Sequence, residues 1–228
     1  MKILFYLAVW KRPEITEICF MGLRRLMKSY DSESLAVISE DSMIPICEKY
    51  GIMWMMYDNL PLGKKKNAGL KHALNLDWDY VIELGSDDLI KNELIELYKP
   101  FFGTEKFLSC GSVAFINSET GACRWIARRS PFGLGRCLHR EVIERVPELY
   151  RSNVSKGLDK EIPFRLGVLN IMEKSITTER PLTIDIKSDV NIWKYSSAVG
   201  TKISFNQVVD GLSTEEIDAI CSLKYATV

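Results

Sequence analysis

Two adjacent aspartates follow an apolar run in Tyr80-Val81-Ile82-Glu83-Leu84-Gly85-Ser86-Asp87-Asp88. Carboxylates placed side by side repel one another, and a divalent cation shared between them removes the repulsion. Oxygen donors suit Mg²⁺ or Mn²⁺, ions that complete their shells with substrate phosphate and water. The same pair also reads as a polar turn in which Asp87 or Asp88 caps the helix that follows. A second cluster, Leu62-Gly63-Lys64-Lys65-Lys66-Asn67, sets three lysines at a glycine-broken helix start. Backbone amides and the helix dipole favour an anion there, such as a diphosphate, although a lysine run also suits a plain solvated face. The cluster is not a P-loop, because GxxxxGK[ST] is absent. Together the acidic and basic clusters form the two halves of a nucleotide-diphosphate site.

The elements around these clusters follow a regular alternation. The apolar run from Ile3 to Val9 suits a buried parallel strand, and Pro13 opens a helix with apolar residues at Ile15, Ile18, Cys19, Gly22, Leu23 and Leu26. Leu35 to Ile38 reads as a second strand, Ile44 to Tyr50 as a helix and Ile52 to Met56 as a third strand. A basic helix is predicted from about Lys65 to Leu74, then a strand over Tyr80 to Leu84 and a helix over Asn92 to Tyr98. This order predicts parallel βαβ units, whose ligands bind beyond the carboxyl ends of the strands. Trp10-Lys11-Arg12, Glu40-Asp41-Ser42 and Ser86-Asp87-Asp88 all fall at such ends, so they should converge on one crevice.

Beyond residue 100 the pattern becomes mixed α+β. A hairpin is predicted from Phe107 to Phe115 and Cys123 to Ala127 through the turn Asn117-Ser118-Glu119-Thr120-Gly121. Ser213 and Glu216 form a capping box for a last helix reaching about Lys224.

Composition narrows the function. The 228 residues are 46% hydrophobic and 26% charged, as in a globular chain with a packed core. Thirty basic residues balance thirty acidic ones, so there is no electrostatic footprint of a nucleic-acid binder and any phosphate site must be local. No apolar run approaches the ~20 residues of a membrane span, and the first residues do not read as a signal peptide; the expectation is a cytoplasmic protein without a membrane span. The six cysteines lack CxxC spacing and are expected to be reduced thiols, mostly buried.

Four segments, in order, resemble the GT-A glycosyltransferases, in particular the inverting family 2-like group that uses nucleotide-diphosphate sugars. Val9-Trp10-Lys11-Arg12-Pro13-Glu14 resembles the segment contacting the nucleoside, and Ile38-Ser39-Glu40-Asp41-Ser42 the acidic turn that reads base or ribose. Lys66-Asn67-Ala68-Gly69-Leu70 is similar to the ARNxG helix start, and Leu84-Gly85-Ser86-Asp87-Asp88 to the DxDD metal motif, with Gly85 standing where its first aspartate usually lies. Arg129 to Arg140 resembles the acceptor-side loop, and Lys156-Gly157-Leu158-Asp159-Lys160-Glu161 the motif whose acid is the catalytic base. The stretch after Ile184 resembles a loop that closes over the donor: Lys187 would reach phosphate and Asp189 or Asn191 would face the metal. No histidine follows His139, so the third metal contact is unassigned.

The resemblance implies an α/β, GT-A (nucleotide-diphospho-sugar transferase) fold with a Rossmann-like, mostly parallel central sheet, flanking helices and a mixed α+β C-terminal half. It implies one domain over 1–228, with a nucleotide-sugar half at 1–100, an acceptor half at 101–212 and a C-terminal helix at 213–228. Trp10, Arg12 and Asp41 would hold the nucleoside, Lys66 would face the diphosphate, Asn67 would be a further donor-binding residue, and Asp87 with Asp88 would hold the Mn²⁺ or Mg²⁺. Asp159 would deprotonate an acceptor hydroxyl, on a glycan or another molecule, in an inverting hexosyltransferase-type reaction. The alternatives are a non-catalytic nucleotide-sugar-binding or scaffold domain and a sugar-nucleotide pyrophosphorylase, although the glycine-rich loop of the latter is not present after the first strand.

Overall fold

The computed structural model describes residues 1–127, 132–188 and 194–223. In chain order the elements are β1 (Ile3–Ala8), α1 (Pro13–Ser29), β2 (Ser32–Ile38), α2 (Ile44–Tyr50), β3 (Met53–Met56), α3 (Leu62–Ala73), β4 (Tyr80–Gly85), β5 (Asp88–Ile90) and α4 (Asn92–Tyr98). There follow β6 (Phe107–Cys110), β7 (Ser112–Asn117), β8 (Cys123–Ala127), β9 (Arg136–His139), α5 (Arg140–Arg145), α6 (Leu158–Gly167) and β10 (Lys174–Ile176). The chain ends with β11 (Thr183–Lys187), β12 (Thr201–Ile203), α7 (Phe205–Val209) and α8 (Thr214–Leu223).

A seven-stranded sheet runs β10-β6-β9-β4-β1-β2-β3. Its strands are parallel except at β9, which is antiparallel to both β4 and β6. Strand side chains alternate between faces, and β1 divides its apolar residues accordingly. Ile3, Phe5 and Leu7 pack with Phe20, Leu23 and Leu26 of α1, with α2 and with α4. Leu4 and Tyr6 face the other way, onto Leu70 of α3, Val142 of α5 and Ile162 of α6. Helices therefore cover both faces, as expected for this class of sheet.

A five-stranded sheet, β12-β8-β7-β11-β5, packs against α1, α7 and α8. Only Ser86 and Asp87 separate β4 in the first sheet from β5 in the second, so the acidic turn is the point where the chain crosses between sheets.

Most predicted elements recur within a residue or two of the expected bounds, and the α/β class holds. The helix expected from Lys65 instead begins at Leu62, because Pro61 caps it and accepts from the Lys65 amide at 3.2 Å. The strand expected from Phe107 to Phe115 is two strands that separate at Gly111 and enter different sheets. Gly111, between Cys110 and Ser112, is a local signal of the break, but nothing in the run says that its two halves enter different sheets. The Asn117–Gly121 turn forms, with the Asn117 side chain accepting from the Glu119 and Thr120 amides. Ser213 and Glu216 complete both bonds of their capping box, while Lys224 lies outside the described residues. All six cysteines are free thiols and five are buried. Among the described residues, no helix is long and apolar enough to cross a membrane.

Candidate active site

Beyond the carboxyl ends of β1 and β4 lies a cavity of about 480 Å³. Trp10, Arg12, Lys66, Asp87, Asp159 and Asp185 are among the residues lining it, and its size suits a small ligand. Two polar centres occupy its walls.

The first is acidic. Asp87, Asp88 and Asp185 place one carboxylate oxygen each within 4.8 Å of the others. Antiparallel pairing sets Asp185 of β11 directly opposite Asp88 of β5, and the Asp87 carbonyl accepts from the Ile186 amide at 2.9 Å. Lys11 and Arg12 both have left-handed backbone, φ 56° and 57°, a costly conformation for residues with a Cβ. That turn brings the Arg12 guanidinium to Asp87 Oδ2 and Ser86 Oγ, each at 3.0 Å. Lys187 meets Asp185 Oδ2 at 2.5 Å, leaving the buried Asp185 Oδ1 without a hydrogen-bond partner among the described residues.

Three carboxylates thus face the cations of Arg12 and Lys187. Burial, then repulsion from Asp87 and Asp185, pushes the Asp88 carboxyl up despite the Gly85 amide and Lys187. Burial and Asp87 push Asp185 up to about 7, against Lys187 and Arg12. An excess of hard oxygen donors with an orphaned buried lone pair fits a divalent cation such as Mg²⁺ or Mn²⁺.

Gly85 fits this centre sterically. A Cβ there would lie 2.7 Å from Asp87 Oδ1 and 2.9 Å from Asp88 Oδ2, and the Gly85 amide donates to Asp88. The missing first aspartate of the motif therefore leaves room for Asp88 to fold back over the turn.

The second centre is internally neutralised. Antiparallel register places Glu83 of β4 opposite Arg136 of β9, both fully buried. Arg136 Nη1 donates to Glu83 Oε2 at 3.1 Å, Tyr150 OH at 3.2 Å and Asp159 Oδ1 at 3.1 Å. Tyr150 donates its hydroxyl proton to Glu83 and accepts from Lys66 Nζ at 3.1 Å. Burial and the Glu83 charge push the Tyr150 phenol well up, which keeps that proton in place.

Asp159 stands in the first turn of α6 with its side chain 52% exposed. Burial acts to raise its carboxyl, but the charges of Arg136 and Lys66 more than reverse this and hold it below the usual carboxylate range. Gly133 sits directly beneath: a Cβ there would fall 2.3 Å from Asp159 Oδ1.

Of the residues expected from sequence, Trp10, Arg12, Lys66, Asp87, Asp88 and Asp159 all line the cavity. Asp41 and Asn67 are not among its lining residues. Asp41 is exposed in a 3-10 turn after β2, and its neighbour Glu40 instead accepts from the Lys11 amide at 2.9 Å. The Asn67 amide group is engaged with the Tyr150 carbonyl, the Tyr150 amide and Ser152 Oγ, which braces the loop carrying Tyr150.

The anion site expected at the α3 start is also altered, because the Leu62 amide donates to Ser155 Oγ and the Gly63 amide to the Val154 carbonyl. Lys65 turns inward to Val9 O and Ser39 Oγ, and burial lowers its ammonium to about 8. Asp189, Asn191 and the Arg129–Pro131 part of the acceptor-side segment lie outside the described residues.

Sequence reading missed Glu83, Arg136, Tyr150 and Asp185 as site residues. Two carry a signal in hindsight: Glu83 is the charge inside Tyr80–Leu84, and Asp185 stands between Ile184 and Ile186. An ionisable group within a buried strand needs a partner.

No protein-family model and no curated protein matches the chain. Solved structures do. Mannosyltransferase PcManGT from Pyrobaculum calidifontis, solved with GDP-Man and Mn²⁺, aligns with a TM-score of 0.57 and 10% identity over 98% of this chain and 74% of that one. The 4-diphosphocytidyl-2C-methyl-D-erythritol synthase of Anaerococcus prevotii gives 0.53 and 16% over 97% and 96%. Residues 1–349 of S. aureus TarS give 0.57 and 14% over 82% and 60%. At these identities the likeness concerns the fold. The chain has the Rossmann-like α/β fold shared by nucleotidyltransferases and GT-A glycosyltransferases.

Proposed function

We propose that this chain is a divalent-cation-dependent glycosyltransferase that moves a sugar from a nucleotide-diphosphate donor to an acceptor hydroxyl with inversion. The observation that carries this reading is the pairing of an acidic cluster with a separately held, ionised Asp159 on one cavity. Asp87, Asp88 and Asp185 would hold Mn²⁺ or Mg²⁺, which when bound neutralises charge on a diphosphate. Asp185 takes the place of the unassigned third ligand. Trp10 packs beside the nucleoside, and Lys66 faces the diphosphate.

Asp159 acts as general base. Arg136 and Lys66 keep it ionised at neutral pH and fix its orientation, so it accepts the acceptor's hydroxyl proton as that oxygen attacks the anomeric carbon. The 1–228 chain acts as one domain in this reading.

A second reading, nucleotidyl transfer with release of pyrophosphate, is favoured by the match to the 4-diphosphocytidyl-2C-methyl-D-erythritol synthase, which covers nearly the whole of both chains. Incubation with a panel of nucleotide-diphosphate sugars and Mn²⁺, followed by mass spectrometry, separates the readings. Glycosyl transfer, even to water, releases a nucleoside diphosphate. Nucleotidyl chemistry yields a nucleoside triphosphate and a sugar phosphate when pyrophosphate is added. Bound but unchanged donor would leave the binding-domain alternative. Asp159→Asn should abolish release while leaving donor binding intact.

A further inference from the structure

Helix α6 is apolar on two faces. Leu158, Ile162 and Leu166 point inward and are buried against the large sheet. On the outside, Phe164 is 77% exposed, and Val168, four residues on at the helix cap, is 71% exposed. Met172, just beyond, is also 71% exposed. A helix on a protein surface normally turns a polar face to water, so this outer stripe calls for a cover.

Charge identifies the cover. Lys160 precedes Phe164 by four residues and so shares its stripe, while Lys156 stands just before the helix on the cavity wall. The acids in the first turn of α6 are already neutralised, Asp159 by Arg136 at 3.1 Å and Glu161 by Arg151 at 3.0 Å. Lys156 and Lys160 form no ion pair with the described residues, leaving two exposed ammonium groups beside the apolar stripe. Area argues against a second copy of the chain: the three apolar side chains expose on the order of 400 Å², about half of the ~800 Å² per partner that a standard interface buries.

We propose that the outer face of α6 docks on an anionic lipid surface. Phe164, Val168 and Met172 enter the headgroup boundary, and Lys156 and Lys160 meet the lipid phosphates. Because Asp159 lies in the first turn of the same helix, docking brings the cavity mouth to headgroup level. Resting on the glycosyl-transfer reading, this assigns the acceptor to the class of lipid-borne hydroxyls.

Vesicle flotation of the full chain tests docking without any donor or acceptor, so its result is independent of which reaction the cavity performs. Wild type should float with vesicles of equal parts phosphatidylglycerol and phosphatidylcholine and not with phosphatidylcholine alone, and added salt should release it. Phe164→Asp and Val168→Asp should each weaken vesicle binding by about tenfold or more, with unchanged melting because both side chains are exposed. Lys160→Glu should weaken it less and carries the test if an apolar variant fails to fold. Absence of flotation, or flotation untouched by these variants, overturns the proposal. So does a wild-type dimer that Phe164→Asp dissociates, since that gives the stripe to a second copy.

Discussion

The two polar centres of the cavity are built from the same residue types and behave oppositely. Around Glu83 and Asp159, two carboxylates meet Arg136 and Lys66, with Tyr150 bridging them, so the charges cancel. Around Asp87, Asp88 and Asp185, three carboxylates meet Arg12 and Lys187, and a buried oxygen stays unpartnered among the described residues. A balanced network holds its members in place. An unbalanced one recruits the missing charge from outside. The contrast shows in two carboxylates on a single cavity, Asp159 pulled down and Asp185 pushed up to about 7.

If the Glu83 centre is the structural one, its disruption should cost the most. Arg136→Met leaves Glu83 charged and buried, and should lower stability by about 3–5 kcal/mol in urea denaturation with an unchanged slope. Converting Glu83 and Arg136 together to methionine should recover much of that loss. A small effect from Arg136→Met alone would erase the distinction between the centres.

The acidic centre should answer to metal instead. Mn²⁺ at ~100 times its dissociation constant should stabilise wild type by about 2.7 kcal/mol. Asp87→Ala or Asp185→Asn should abolish that shift in the melt, whereas Asp159→Asn should preserve it. Equal loss in all three variants would mean that the cavity works as one coupled unit.

Glycine substitutions divide the centres more finely. The Cβ of Gly85→Ala displaces the Asp87 and Asp88 carboxylates, so Mn²⁺ affinity by calorimetry should fall by about tenfold. Gly133→Ala presses first on Asp159, so Mn²⁺ affinity should hold while turnover falls.

Proton linkage gives the smallest effect, with opposite signs. The native state of metal-free protein holds a proton on Asp185 that the unfolded chain releases near ~4, so this residue makes stability fall as pH rises from there to about 7. Asp159 contributes stability above its unfolded pKa, and that contribution disappears as pH falls through its depressed native value. Melting of wild type against Asp185→Asn should change between ~4 and about 7, and against Asp159→Asn only below ~4, with the two differences changing in opposite directions as pH rises.

Much of the first hundred residues was legible because local signals and tertiary need agree there. Alternating apolar runs gave β1, α1 and α2, and the Asp87-Asp88 pair announced itself by charge. Asp185 and Arg136 were not legible as site residues, because their roles arise from pairing with the distant strand residues Asp88 and Glu83, 97 and 53 positions earlier in the chain respectively. Asn67 misled for the converse reason: its local motif suggests a ligand contact, but the loop at Tyr150 claims its amide. Residue periodicity reports which face is buried and not which distant strand arrives beside it.

The crossing of the chain between sheets at Ser86 and Asp87 has a kinetic consequence. Asp87 and Asp88 sit where the first sheet hands over to the second, while Asp185 is brought to them by the pairing of β11 with β5, 97 residues along the chain from Asp88. Closing that long loop is an entropic barrier cleared late, since distant pairings form slowly. The candidate cation site is therefore assembled only when β11 has paired with β5, and Mn²⁺ binding during refolding should act as a clock for that pairing.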